Sequence, residues 1–354
     1  MDFLAEYASF LAKTVTLVVA ILVVLISFAA LRSKGRRKSA GQLQVSKLND
    51  FYKGLRERLE STVLDKDQLK ALRKSESKAE KKNSKKKPEA KPRVFVLDFD
   101  GDIKASATES LRHEITGLLS LATSKDEVVL RLESGGGMVH SYGLASSQLA
   151  RIRQAGVPLT VCIDKVAASG GYMMACIGEK IISAPFAILG SIGVVAQLPN
   201  VNRLLKKHDV DFEVFTAGEY KRTVTVFGEN SDSGKAKFEA ELQQTHALFK
   251  HFVEKYRPQM DVEAVATGEH WYGEDALKMH LVDRLQTSDA YLLSLLPNHD
   301  IYALHSRRKP TLAEKLGLAA AQMSRELLPV LGSALQHGLT RLSARMPLLR
   351  DLDL

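Results

Sequence analysis

From Val94 onward the apolar positions follow two periods in turn. VFVLDF (94–99), EVVLRLES (127–134), PLTVCID (158–164) and EKIISAP (179–185) are short apolar runs rich in β-branched residues, and each reads as a strand. Between them, SLRHEITGLLSLAT (110–123) places Leu111, Ile115, Leu118 and Leu119 on one side of a helix. GLASSQLARIRQAG (143–156) is a second helix, closed by Gly156. Strand and helix in alternation imply an α/β fold with a largely parallel sheet and helical crossovers.

The two ends have other patterns. Val15 to Leu31 reads VTLVVAILVVLISFAAL without a charge, and with the flanking FLAKT it reaches the ~20 residues that cross a bilayer. Asp2 and Glu6 stand where a cleaved signal peptide carries a basic region, so the run reads as one retained transmembrane helix. RSKGRRK (32–38) follows, and the positive-inside rule places such a flank, and the body after it, in the cytoplasm. In the next segment Leu48, Phe51, Leu55 and Leu59 fall near one helical face, after which SKAEKKNSKKKPEAKPR loses all periodicity and is expected to be disordered. After Pro310, Thr311 and Glu314 form a capping box ahead of an amphipathic stripe from Leu312 to Leu335, kinked at Pro329. The expected organisation is a membrane anchor and basic flank (1–38), a helical then disordered linker (39–93), a catalytic body (94–300) and a carboxyl-terminal amphipathic helix (301–354).

Charge refines this picture. The 354 residues carry a net +9, but residues 32–93 hold 21 Lys/Arg against 8 Asp/Glu, while residues 94–354 hold 28 against 31. The excess is a property of the linker. Its lysine run has no interleaved aromatic residues, which argues against nucleic acid; it reads as a solvated spacer, or as a contact for the anionic headgroups of a lipid bilayer. Cys162 and Cys176 match no zinc or redox spacing.

The candidate chemistry centres on DKVAASGGYMMA (164–175), where a strand runs into small residues around Ser169. Serine at a strand-to-helix turn is either an N-cap or a nucleophile whose neighbours leave room for a carbonyl. As a nucleophile it would use the Gly170 amide as one oxyanion donor. The glycine loop SGGGM (134–138), one βα unit earlier, would supply a second. For the base, His140, His246, His251 and His270 form no clear triad. Lys221 in GEYKRTVT (218–225) is the other candidate, and a lysine serves as a base only when desolvation keeps it neutral.

SGGGMVHSYG, DKVAASGGYMMA, ILGSIGVV (188–195), GEYKRTVT and HWYGEDALKMHLVD (270–283) stand in the order and spacing of the signal peptide peptidase A family of Ser–Lys serine proteases. The chain resembles that family over nearly its whole length. The resemblance implies a ClpP/crotonase-type fold of repeated ββα units, with Ser169 as nucleophile, Lys221 as general base and Ser191 positioning the lysine. It implies an oxyanion hole from the amides of Gly136 and Gly170, with Gly137 the alternative to Gly136. It also implies a serine endopeptidase without metal or cofactor, in the bacterial inner membrane, acting on unfolded or hydrophobic peptides such as signal-peptide remnants. Several relatives carry the body outside the cytoplasm, the opposite of what the positive flank of this chain implies. Members of this length form homo-oligomeric rings in which serine and lysine can come from neighbouring subunits. Two positions depart from the family pattern: Gly135 replaces a proline, and His280 replaces a glycine. Two rival functions share parts of this reading. A crotonase-like acyl-CoA enzyme would need a carboxylate as acid/base, and a catalytically silent membrane scaffold would not need Ser169.

Overall fold

The computed structural model describes residues 42–83 and 91–307, with isolated positions before them. The expected transmembrane helix over 15–31 lies outside the described residues apart from Leu17, and the stripe from Leu312 to Leu335 lies outside them entirely. No helix among the described residues is long and apolar enough to cross a membrane.

In chain order the elements are β1 (Gln42–Lys47), α1 (Leu48–Val63), α2 (Lys66–Asn83), β2 (Arg93–Gly101), α3 (Thr108–Leu119), β3 (Glu127–Ser134) and α4 (Val139–Gln154). Then come β4 (Leu159–Ile163), β5 (Val166–Ala168), α5 (Gly170–Ala175), β6 (Lys180–Ser183), β7 (Ile188–Gly190), α6 (Asn202–Lys207) and α7 (Asp232–Tyr256). The chain continues through α8 (Val262–Val265), β8 (His270–Tyr272), α9 (Gly273–Lys278), β9 (Arg284–Leu285), α10 (Ser288–Leu295) and β10 (Asp300–Arg307). The result is mixed α/β. The sheet runs β1-β10-β2-β3-β4-β6-β9, parallel except for the β1–β10 pair. Beyond the end of β4 the short β5 takes its place beside β3, pairs in parallel with β7, and β7 pairs antiparallel with β8.

The alternation within each strand divides the core. Phe95, Leu97 and Phe99 of β2 point to the larger cluster, with Leu111 and Ile115 of α3, Leu149 of α4 and Tyr172 of α5. Val94 and Val96 point to the other face, where Tyr291 and Leu292 of α10 and Leu48 of α1 cover them. Gly156 closes α4 in the left-handed region, φ 70°, as a glycine after a helix should.

The compact body is wider than the sequence boundaries. It runs from Gln42 to Arg307, because β1 and β10 lie on the far side of both expected limits and pair residue for residue from Gln42↔Arg307 to Lys47↔Tyr302. Residues 301–307 are therefore strand and not the start of the carboxyl-terminal helix. Likewise α2 extends to Asn83, well into the lysine-rich segment whose lost periodicity suggested disorder. The reason is composition: Lys, Glu and Ala are good helix formers with or without an apolar stripe.

Two buried ionisable groups matter for stability. Arg257, 1% exposed, is held by Asp283 through two bonds of 2.8 and 3.0 Å and by the His280 carbonyl at 2.7 Å. Glu114 accepts the Ser306 N–H with one oxygen, while its other oxygen is buried without a hydrogen-bond partner among the described residues. Burial pushes this carboxyl up to about 7.

Candidate active site

Three loops leave the carboxyl ends of neighbouring parallel strands at one edge of the sheet, where α/β folds bind ligands. The glycine loop follows β3, Ser169 follows β5 and Ser191 follows β7. The register pairs Ser134 with Ala167 and Ala168 with Gly190, so Ser169 and Ser191 are the next residues on adjacent strands. Both serines lie in the left-handed region, at φ 52° and 50°, as do Gly136 at 89° and Gly190 at 93°. Serine reaches such a conformation only when its surroundings over-determine it, and such strain clusters at functional sites. Here the Ser169 N–H donates to the Gly190 carbonyl at 2.8 Å and its own carbonyl accepts the Met173 N–H at 3.0 Å.

The Ser169 side chain makes no capping hydrogen bond to α5. The N-cap explanation of this serine therefore fails, and its half-buried hydroxyl has no hydrogen-bond partner among the described residues. The small residues after it have a packing cause that sequence reasoning missed. A Cβ on Gly170 would lie 2.4 Å from the Tyr142 ring, and one on Gly171 would lie 2.4 Å from the Ser134 carbonyl oxygen. A Cβ on Gly136 would lie 2.7 Å from the Gly170 nitrogen and 2.8 Å from the Ser169 Cβ. The glycines let α5, β3 and α4 close on one another and bring the glycine loop against the serine.

The amides of the loop differ. Gly136 N–H donates to Ser134 Oγ at 3.1 Å. The N–H groups of Gly137 and Gly170 have no such partner among the described residues, and both residues line a small recess at Ser169. That recess is closed by Val139, Met173, Val194 and Phe249, which gives it an apolar wall. Beside it opens a cleft of about 620 Å³ lined by Gly135, Gly136, Gly137, Ser169 and Ser191 on one side and by Leu242, Gln243 and His246 of α7 on the other.

Lys221 is not among the residues of that cleft. It is exposed, within residues 208–231, a segment without helix or strand that follows α6. Its base is tied down: Asn200 Nδ2 donates to the carbonyls of Thr225 and Gly228, and Asn202 Nδ2 to that of Phe227. Further out, Phe215 is 89% exposed and Tyr220 55%. The structure thus brings Ser169, Ser191, Gly136, Gly137 and Gly170 together within one chain and leaves Lys221 outside the cleft wall.

His246 is a residue that sequence reasoning passed over. His140, His251 and His270 are exposed, but His246 faces the cleft, with Nε2 3.2 Å from the Ile192 carbonyl. Its signal was present: it follows Leu242 by four residues and precedes Phe249 by three, on the inward stripe of α7. Cys162 and Cys176 are buried thiols, and burial raises both, Cys162 to about 12, so neither offers a thiolate nucleophile. Among the described residues no group of three His, Cys, Asp or Glu side chains is placed to hold a metal ion.

Comparison with known proteins identifies the family of the chain. The model of peptidase family S49 N-terminal matches residues 2–149, and that of peptidase family S49 matches residues 151–299. A probable protease SohB of Haemophilus influenzae is 49% identical over 332 residues, 91% of this chain and 94% of its own. A probable protease SohB of Buchnera aphidicola is 46% identical over 83% of this chain and 100% of its own. A solved structure of a membrane-bound stomatin-specific protease with a substrate peptide aligns with 64% of this chain and 97% of its own, at 14% identity and a TM-score of 0.39. Matched by family models over most of its length and by relatives along nearly all of theirs, this chain belongs to peptidase family S49 and is a serine peptidase.

Proposed function

We propose that the chain is an endopeptidase in which Ser169 attacks a peptide carbonyl and forms an acyl-enzyme that water then releases. The observation that carries this reading is the Ser169 hydroxyl itself: held at φ 52°, unused as a cap, beside the Gly137 and Gly170 amides, which have no partners among the described residues. The oxyanion of the tetrahedral intermediate is assigned to the N–H groups of Gly170 and Gly137. Gly136, the first choice on resemblance, has its N–H committed to Ser134. Two donors of this kind are worth about 10²–10³ each in rate.

The base is assigned to Lys221 of a neighbouring subunit in a homo-oligomeric ring, with Ser191 of the receiving subunit orienting it. The exposure of Phe215 and Phe227 on the arm formed by residues 208–231 supports a surface that another copy covers. The consecutive strands β4 then β5, and β6 then β7, are read as parts of ββα units of a ClpP/crotonase-type body. Residues 15–31 are read as its anchor in the bacterial inner membrane, which keeps the cleft close to hydrophobic peptides such as signal-peptide remnants. The apolar recess of Val139, Met173, Val194 and Phe249 suits a small apolar side chain next to the scissile bond.

A second reading has one observation in its favour. His246 lines the cleft with Ser169, and Lys221 of the same chain does not. Both readings are tested by casein hydrolysis and fluorophosphonate labelling of detergent-solubilised wild type, Ser169→Ala, Lys221→Ala and His246→Ala. The Ser–Lys reading expects Ser169→Ala and Lys221→Ala to lose more than about 10³-fold, with His246→Ala losing much less. Loss in His246→Ala with Lys221→Ala active would assign the base to the histidine, and full activity in Ser169→Ala would refute both.

A further inference from the structure

Behind the glycine loop lies a buried chain of hydroxyl groups with no part in the chemistry proposed above. The Tyr142 hydroxyl lies 2.8 Å from the Asp102 carbonyl oxygen, Ser134 Oγ lies 2.6 Å from the Tyr142 hydroxyl, and Gly136 N lies 3.1 Å from Ser134 Oγ. Tyr142 is fully buried and Ser134 is 2% exposed.

The direction of every bond is determined. A carbonyl oxygen only accepts, so Tyr142 donates its one proton to Asp102. Ser134 must then donate to Tyr142, because the tyrosine has no second proton. An amide N–H only donates, so Gly136 gives its proton to a lone pair of Ser134. The same tyrosine touches the other side of the site, since its ring occupies the space of a Cβ on Gly170 at 2.4 Å. Gly101 is shaped around this chain as well: a Cβ there would lie 2.5 Å from Ser134 Oγ and 2.6 Å from the Tyr142 hydroxyl.

We infer that Ser134 and Tyr142 are positioning residues that set the orientation of both oxyanion amides. By holding the Gly136 N–H inward at φ 89°, the chain turns the next peptide of the loop so that Gly137 N–H is presented to the cleft. By packing on Gly170, the tyrosine fixes the other amide at the same time. Without the tyrosine hydroxyl, Ser134 has only the Gly101 carbonyl to donate to, at 3.5 Å, and its lone pair leaves the Gly136 N–H. This inference rests on the Ser169 reading above.

The test compares wild type, Tyr142→Phe, Ser134→Ala, the double variant and Ser169→Ala. It measures kcat and KM on a peptide substrate, the affinity of a peptide aldehyde that forms an oxyanion on the serine, and the affinity of the product peptide. For Tyr142→Phe and Ser134→Ala the expected result is a fall in kcat of about 10–100-fold with KM within about threefold. Aldehyde affinity should fall in parallel while product affinity holds, and the double variant should be no worse than the poorer single one. Tyr142→Phe removes one atom and keeps the ring packing, so it carries the test if Ser134→Ala does not fold. Unchanged kcat in folded Tyr142→Phe, with Ser169→Ala inactive, overturns the positioning role and leaves the nucleophile in place. Equal losses in product and aldehyde affinity mark a general structural defect and also overturn it. Wild-type activity in Ser169→Ala overturns the underlying reading, and this inference with it.

Discussion

Ser169 and Lys221 sit in regions of opposite construction. Around Ser169 the backbone is locked by the Gly190 and Met173 bonds, glycines bring three elements within van der Waals contact, and the surrounding side chains are buried. Around Lys221 the backbone has neither helix nor strand, and every residue from Asp209 to Arg222 is exposed. The difference teaches where preorganisation resides. In the proposed mechanism, attack and oxyanion stabilisation depend on geometry fixed before substrate arrives, and one chain supplies that geometry. A lysine base requires a dry pocket, and an exposed arm provides one only when something covers it. On the Ser–Lys proposal the folded chain is half of a site and the assembled oligomer is the whole of it.

The contrast is broken most severely at Gly171. A valine there would drive its Cβ to 2.4 Å from the Ser134 carbonyl, so Gly171→Val should abolish activity and cost at least about 3 kcal/mol in denaturant unfolding. Near-native stability would mean that the packing on β3 is loose. A second effect belongs to the body and spares the arm. Glu114 is held protonated up to about 7 in the folded chain, against an ordinary value of 4.5. The folded state then binds more protons than the unfolded state between these values. Stability should fall as pH rises from about 4.5 to 7, by up to about 3 kcal/mol, and Glu114→Gln should flatten that slope in urea titrations.

On the arm the prediction is reversed. Phe215 is 89% exposed, so Phe215→Ser should leave the stability of the single chain within about 0.5 kcal/mol. It should still weaken assembly in sedimentation and lower activity with it. Loss of activity with the oligomer intact would separate the arm from the assembly. The smallest effect is at His280, which adopts φ 60° where the family pattern has glycine. His280→Gly should relieve the strain and raise stability by about 1 kcal/mol or less, without changing activity.

How much of this was legible in the chain depends on the kind of signal. The strands at 94–99 and 127–134 were readable as apolar runs buried on both faces, and the helices over 110–123 and 143–156 by one buried stripe each. β5, β7, β8 and β9 were not, since two or three residues carry no period. β1 was unreadable for another reason: it is an exposed edge strand whose pairing with β10 is set by residues some 260 positions away. The serine and glycine motifs marked the site, yet the motif could not separate Gly136 from Gly137, because the difference lies in the Ser134 hydroxyl that takes one amide proton. The left-handed φ of His280 explains why glycine suits that position, a constraint invisible until the helix end is seen beside Arg257.

The most direct test of the account mixes two inactive proteins. Ser169→Ala and Lys221→Ala chains, co-expressed with different tags and purified as verified mixed oligomers, are compared on casein with each variant alone. A base supplied across subunits predicts that the mixture regains a substantial fraction of wild-type activity while both parents stay inactive. Mixed oligomers as inactive as their parents would contradict the account and place both residues of the dyad in one chain.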